Sequence, residues 1–525
     1  MNSQLAEAWA HLPAYLGGHV AVSVTALLLG LAISLPLALL SLRRPTLRRL
    51  LLGFASVVQT IPSLALLALF YPLLLGLAAL SERVFGAGFS ALGFLPSVLA
   101  LTLYSMLPVL RNTVTGLMGI DPAINEAALG VGMTRRQSLL MVELPLALPV
   151  IMAGVRTAAI WVIGAATLST PIGQTSLGNY IFTGLQTQNW VFVLFGCAVA
   201  ALFALAVDQL LALMENGLTQ RRRARVTAGG IGLLLLTAAA LVPGLSQARV
   251  TYVIGAKPFA EQYVLAALMQ QRLQEAGHTA TIREGLGSAV IFNALAAGEI
   301  DAYVDYSGTL WSNQMHRNDV KPRTEVLADV AQWLDREHGI VMLGSLGFEN
   351  AYALAMPRPR ADALGIRTLA DLAGRASSLS IAGDYEFFGR PEWEAIRKAY
   401  GIAFREQRQM QPEFMYEAVS HGDVDVIAGY TSDGRIAQYD LTVLADPKHV
   451  IPPYDAIVLI SAKRKDDKAL LAALRPLIGA IDVTSMRGAN LRAADGKASP
   501  RDAAQWLSDE IQRKRAGTKP GGPVR

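Results

Sequence analysis

One stretch of this chain carries residue types at a spacing that could do work: Asn125-Glu126-Ala127-Ala128-Leu129-Gly130-Val131-Gly132, nine further residues, then Val142-Glu143-Leu144-Pro145. Its residue types suit contact with a partner surface rather than bond-making. Small side chains at Ala127 and Ala128 let a partner surface approach closely, Glu126 is either a contact or a solvated charge, and Gly132 suits a helix end where positive φ is tolerated. Groups for bond-making chemistry are scarce. Cys197 is the single cysteine and lies in an apolar run, so neither a disulfide framework nor a cysteine metal site can be built from it. The nearest Gly-Lys pair, Gly496-Lys497, is followed by Ala498 and lacks the glycine spacing of a phosphate loop. No catalytic residue, metal or cofactor is therefore expected, and the chain is not expected to be an enzyme.

The elements around that stretch are hydrophobic. Of 525 residues, 52% are hydrophobic and 17% charged, too apolar for an ordinary soluble protein and too charged for a pure membrane bundle. About 20 apolar residues cross a bilayer as a helix. Six segments qualify, near 20–42, 51–80, 92–110, 147–169, 189–214 and 227–247, with kinks or breaks expected at Pro62, Pro72, Pro96 and Pro108. The first lacks a basic lead-in and a clear cleavage site, so it reads as a retained span.

Charge gives an orientation. Residues 1–248 hold 13 Arg, no Lys and 7 acids, leaving 33 basic and 34 acidic residues in the remainder. Arg43, Arg44, Arg48 and Arg49 follow the first span, Arg111, Arg135 and Arg136 sit between the third and fourth, and Arg221, Arg222, Arg223 and Arg225 follow the fifth. The alternate loops are charge-poor, 81–91 holding Glu82 and Arg83 and 170–188 nothing charged. Positive-inside reasoning puts the Arg loops, and with them 111–146, in the cytoplasm, and everything after about residue 248 outside. Arg beside apolar spans reads as topology and not as a nucleic-acid surface; no nucleic-acid partner is expected.

From Val250 short apolar strands alternate with amphipathic helices, the pattern of an α/β domain. Some 260 residues of this kind suit two lobes with a ligand cleft between them. The expected organisation is an all-α transmembrane domain over 1–226 with five spans, a sixth span or tether at 227–249, and an α/β two-lobed domain at 250–515. Lobe I takes about 250–350 and 455–515, lobe II about 351–454, and 516–525 reads as a disordered tail.

The 125–145 pattern resembles the EAA loop of binding-protein-dependent ABC importer permeases: Glu-Ala-Ala, three residues, Gly, nine residues, an aliphatic residue, one residue, Leu-Pro. In that family the loop is a short helix seated in a cleft of a separate ATPase subunit, which implies coupling roles for Glu126, Ala127, Ala128, Gly132, Leu144 and Pro145. Gln59-Thr60-Ile61-Pro62-Ser63 is similar to the corresponding permease helix. The C-terminal half resembles the osmoprotectant-binding proteins of glycine betaine/carnitine/choline importers. It does so through Gly255-Ala256-Lys257-Pro258-Phe259-Ala260-Glu261-Gln262, Gly298-Glu299-Ile300-Asp301, Tyr306-Ser307-Gly308-Thr309, Gly347-Phe348-Glu349-Asn350-Ala351-Tyr352, Tyr430-Thr431-Ser432-Asp433-Gly434-Arg435-Ile436 and Pro452-Pro453-Tyr454-Asp455.

That resemblance implies a type II periplasmic-binding-protein fold and a quaternary-ammonium cage of four tyrosines, at Tyr306, Tyr352, Tyr430 and Tyr454. A trimethylammonium donates no conventional hydrogen bond, so the negative faces of aromatic rings are its natural partners, at roughly 0.5–2 kcal/mol each. Thr309 matches members that accept betaine and carnitine, where choline-restricted members carry an acid. Lys257 stands where some relatives have Gln and could meet a ligand carboxylate; Asp384 and Arg390 could also line the cleft.

The expected function is thus the permease plus binding subunit of an ABC importer in a bacterial cytoplasmic (inner) membrane, working with a separate ATPase as a permease homodimer or heterodimer. Its ligand is glycine betaine, carnitine or a related betaine, with ergothioneine, bound by related fused permeases, or choline as the alternative. A ligand-gated channel would have no use for the loop at 125–145, and an osmolyte sensor would need a cytoplasmic signalling module that no loop supplies.

Overall fold

Proline and hydrophobic length together decide the helices of the N-terminal half. In the computed structural model α1 runs Ser3–Leu42, α2 Pro45–Thr60, α3 Ser63–Phe85, α4 Phe94–Met118, α5 Pro122–Gly130, α6 Arg135–Ser138, α7 Leu144–Ala166, α8 Gly178–Gln186, α9 Trp190–Thr219 and α10 Arg223–Leu245. The structure describes residues 3–86, 89–187, 189–245, 251–317, 319, 321–384, 386–494 and 498–517; Val250, Gly496-Lys497 and the tail beyond Gly517 lie outside these. Among the described residues six helical stretches are long and apolar enough to span a membrane: Gln4–Leu42, Ser63–Phe85, Phe94–Met118, Arg135–Ile172, Trp190–Thr219 and Arg223–Val242. The chain divides into two units, Met1–Phe182 with Val191–Gln247, and Ala248–Arg525 with Thr183–Trp190.

One expected span lies within a longer helix, and another is divided at a proline where a break was expected. The first helix starts at Ser3, so the span expected near 20–42 is the C-terminal part of a longer helix. The apolar run 51–80 is not one span: it breaks between α2 and α3 at Ile61, whose extended backbone (φ −74°, ψ 127°) is what a residue before proline prefers. Side chains repair the break. Tyr104 on α4 donates its hydroxyl to the Ile61 carbonyl, and the Gln59 amide donates to the Tyr104 carbonyl at 3.4 Å. That carbonyl is the one Pro108, lacking an N–H, leaves without a helical partner. The α4 helix is the most enclosed of the bundle, packing against α1 and α7.

Between α4 and α7 the chain forms a sharply capped pair of short helices. The Asp121 carboxylate accepts from the Ala123 N–H at 2.9 Å and Pro122 fills the first turn of α5. Gly132, at φ +86°, turns the chain, and a Thr134–Gln137 capping box starts α6. The helix then widens to π geometry over Leu139–Glu143 before α7. This register lets the chain pass Pro145, which has no N–H to give to the turn before it.

The second unit holds ten strands among its described residues: β1 Tyr252–Gly255, β2 Ala280–Arg283, β3 Ala302–Tyr306, β4 Val341–Glu349, β5 Tyr352–Pro357, β6 Ser380–Gly383, β7 Glu406–Gln409, β8 Val426–Tyr430, β9 Leu441–Val443 and β10 Asp455–Ile460. They form two sheets of order β2-β1-β3-β10-β4 and β7-β6-β8-β5-β9. The chain crosses between sheets twice, through Asn350-Ala351 and again between β9 and β10. Each sheet has one strand, β10 in the first and β5 in the second, antiparallel to the other four, with Ala456 opposite Tyr306 in the first and Tyr352 directly opposite Tyr430 in the second. Helix α11, Ala260–Glu275, packs on the first sheet with Val483–Ala494, and Pro500–Arg515 packs on those two helices. Strand ends therefore place tyrosines where the chain passes from one lobe to the other.

Candidate functional site

Four ends meet at one cavity: β3 ends at Tyr306, β5 begins at Tyr352, β8 ends at Tyr430, and Tyr454 directly precedes β10. All four rings line a cavity of about 230 Å³, with Lys257, Phe259, Thr309, Asn350, Asp384, Glu386 and Arg390 also in its wall. The ring centroids of Tyr352 and Tyr430 lie 5.0 Å apart, tilted 38°, and those of Tyr352 and Tyr454 lie 6.1 Å apart at 89°. Phe259 joins the set, stacked 6.2 Å from Tyr306 and 6.5 Å from Tyr430. The sequence motif contains Phe259 but gave no reason to single it out.

Glycine permits this crowding at one point. A Cβ built on Gly308 would sit 2.5 Å from Cε2 and 2.6 Å from Cδ2 of Tyr454, so a side chain there is incompatible with the observed ring position. The Tyr306-Ser307-Gly308-Thr309 turn is thus written around the Tyr454 ring. Ser307 adds to this by donating to the Pro453 carbonyl at 2.8 Å.

Every tyrosine hydroxyl in the set donates to a carboxylate. Tyr306 donates to Glu261 at 2.6 Å, Tyr430 and Tyr352 donate to Asp384 (the latter at 3.4 Å), and Tyr454 donates to Glu392. Burial pushes all four phenols above their ordinary range, so the rings stay neutral at any physiological pH. Glu261 is a hub: its oxygens also accept from Asn350 at 3.0 Å, Ser432 at 2.5 Å and Asn490 at 2.6 Å. Burial raises its carboxyl above the usual carboxylate range, while bonds from Ser432, Tyr306 and Asn490 oppose that rise. Ser432 follows β8 of the second sheet, so Glu261 ties the two lobes together.

Two cations stand in the wall, in different states. The ammonium of Lys257, buried to 2% exposure, is held by the Asp305 carboxylate and lies 5.5 Å from the Tyr306 centroid. A buried ammonium needs such a counter-charge, and Asp305 supplies it. Arg390 is paired with two carboxylates, Glu386 and, through its Nε at 3.5 Å, Glu392, and it also faces a ring. Its guanidinium sits 5.1 Å from the Tyr352 centroid, donates to Glu386 at 3.0 Å, and reaches Thr309 Oγ1 at 3.5 Å from the other lobe. Its Nε lacks a hydrogen-bond partner. Thr309 therefore lines the cavity beside Arg390.

In the membrane unit, Glu126 and Ala127 are exposed on α5 and Ala128 faces inward at 6% exposure. Leu144 packs beside Leu117, Ala147 and Ile151, and Pro145 is exposed. Around them Ile124, Leu129, Val131, Leu140 and Met141 leave 40–75% of their surface uncovered. A sequence scan missed this apolar patch because its members are scattered over two helices.

Comparison with known proteins accounts for both halves. Residues 27–222 match the family described as the binding-protein-dependent transport system inner membrane component, and residues 250–509 match the substrate binding domain of the ABC-type glycine betaine transport system. A Helicobacter pylori (strain G27) protein, named ergothioneine transport permease/ergothioneine binding protein, is 29% identical over 484 residues, covering 88% of this chain and 84% of its own length. The glycine betaine/carnitine/choline transport system permease protein of Bacillus subtilis (strain 168) is 38% identical over 205 residues, 39% of this chain and 87% of that one. A glycine-betaine-binding protein of Pseudomonas aeruginosa is 32% identical over 287 residues, 52% of this chain and 91% of that one. The chain belongs to the osmoprotectant/ergothioneine ABC importer family, as a permease fused to its own substrate-binding domain.

Proposed function

We propose that the cleft captures a trimethylammonium zwitterion, a betaine, and that the same chain passes it across the membrane. The observation that carries this reading is the convergence of four neutral tyrosine rings on one cavity, with Arg390 and Thr309 at its polar side. A methylated cation is attracted by ring faces and a carboxylate by a guanidinium, so the two ends of a betaine have different partners. Lys257 adds positive charge to the wall, largely answered by Asp305. Glycine betaine or carnitine is the first reading of the ligand. Ergothioneine is the second, favoured because the Helicobacter relative of that name matches both halves in one chain. Choline, with no carboxylate for Arg390, should bind more weakly.

The permease half works with a separate ATPase, which docks on the face carrying Glu126, Ala127, Ala128 and the exposed apolar residues around them, with Gly132 turning the chain and Leu144-Pro145 leading into α7. The Arg-rich loops support a cytoplasmic position for that face and an external one for the binding domain, in a bacterial cytoplasmic membrane. Two permease chains, identical or similar, form the path. Calorimetric titration of the full chain in lipid nanodiscs with glycine betaine, carnitine, ergothioneine and choline tests the ligand reading. At least one zwitterion should bind more tightly than choline; binding of none of the four would reject it.

A further inference from the structure

The pairing of every cage hydroxyl with a carboxylate has a consequence for selectivity. We infer that Asp384, acting through Tyr352 and Tyr430, gives the cavity its preference for a positively charged trimethyl group over a neutral one of the same shape. The inference rests on the cage reading above and adds a positioning and tuning residue to it.

Asp384 is 7% exposed and fixed on all sides. Its Oδ1 accepts from the backbone N–H groups of Glu386 and Phe387 at 2.9 and 2.6 Å, and its Oδ2 accepts from the hydroxyls of Tyr430 and Tyr352. Tyr352 and Tyr430 are cross-strand neighbours on β5 and β8, so one carboxylate orients both phenols. A phenol that donates to an anion carries more electron density in its ring, and the anion adds its own field at the ring face. Both effects favour a cation and neither favours a neutral tert-butyl group. Glu261 behind Tyr306 and Glu392 behind Tyr454 repeat the arrangement, but each also has other duties. Glu261 binds three further donors, and Glu392 lies 3.5 Å from Arg390. Asp384 has no basic partner within ion-pair distance among the described residues; Arg390 opposes it at Tyr352, donating to that hydroxyl at 3.4 Å and standing 5.1 Å from that ring, so Tyr430 carries the Asp384 effect more cleanly.

At an effective permittivity of about 20, a unit charge held one ring away from a bound cation changes affinity by on the order of ten-fold or more. An uncharged head group is indifferent to it, and a carboxylate common to both ligands cancels in their ratio. The experiment compares glycine betaine with 3,3-dimethylbutanoate, its neutral-headed carbon isostere, for binding to the full chain in nanodiscs. The same pair is measured for Asp384→Asn, and for Tyr430→Phe, which removes the donated hydroxyl while keeping the ring. Wild type should favour betaine strongly, and Asp384→Asn should cut that ratio about ten-fold by weakening betaine while leaving the isostere within about two-fold. Tyr430→Phe should cut the ratio in the same direction, and the double variant should lose little more than the worse single one. Equal loss of both ligands in Asp384→Asn, or an unchanged ratio in both single variants, would overturn the inference. A wild type that binds both ligands equally would instead overturn the cage reading beneath it.

Discussion

Gly308→Ala is the smallest change that reaches the cleft. The added methyl would meet Cε2, Cδ2 and Cζ of Tyr454 at 2.5, 2.6 and 2.7 Å, against an ordinary carbon contact of about 3.5–4.0 Å. Either the Tyr306–Thr309 turn or the ring must move by about 1 Å. Tyr454 has little freedom: it is 2% exposed, its hydroxyl is anchored on Glu392, and its ring meets Tyr352 edge-on at 6.1 Å. Overpacking of this kind costs roughly 1–3 kcal/mol of stability. A displaced ring forfeits one cation–π contact of about 0.5–2 kcal/mol, a loss of roughly 2- to 30-fold in betaine affinity. Titration and thermal unfolding of the same nanodisc preparation separate the two effects. Unchanged affinity with a lowered unfolding temperature would mean that the Tyr454 ring does not touch ligand, and the four-ring cage would reduce to three.

Other consequences are equally direct. Tyr352→Ala with Tyr430→Ala should abolish betaine binding, read by titration, while far-ultraviolet circular dichroism stays at the wild-type level. Arg390→Met should weaken betaine by roughly ten-fold or more through loss of a charge-assisted bond yet leave choline nearly unchanged; equal losses for both would remove Arg390 from the carboxylate end. Glu261, raised by burial, binds its proton more tightly folded than unfolded. Its contribution is therefore full below the unfolded carboxyl range and falls as pH rises through the folded value, so Glu261→Gln should flatten that part of the stability profile measured by denaturant unfolding. Glu126→Ala should leave ligand titration untouched and lower ligand-stimulated ATP hydrolysis by the partner subunit; full stimulation would remove Glu126 from the docking face.

What could be read from the sequence was what is local in the chain. The helix–turn around Glu126–Gly132 is set by Asp121, Pro122 and Gly132 within a dozen residues, and Pro62 announced its break at the position found. The tyrosines were legible only as members of short motifs, whose strand ends the sheet topology then gathers. What stayed hidden pairs distant residues. Lys257 finds Asp305 48 residues on, Glu261 finds Tyr306 after 45, Asp384 finds Tyr430 after 46, and Glu392 finds Tyr454 after 62. No periodicity records such pairs, because they depend on which strands become neighbours. The same holds in the membrane unit, where Arg156 on α7 meets Asp208 on α9, 52 residues away and inside apolar segments. A charge there must be paired, but composition alone does not say with what.

Transport itself is the most direct test. The full chain, reconstituted in proteoliposomes with its ATPase partner, should accumulate radiolabelled betaine only with ATP, and the Tyr352→Ala, Tyr430→Ala variant should accumulate none. ATP-driven uptake undiminished in that variant, or absence of uptake for every trimethylammonium zwitterion offered to the wild type, would contradict the reading of this chain as a permease carrying its own aromatic trap.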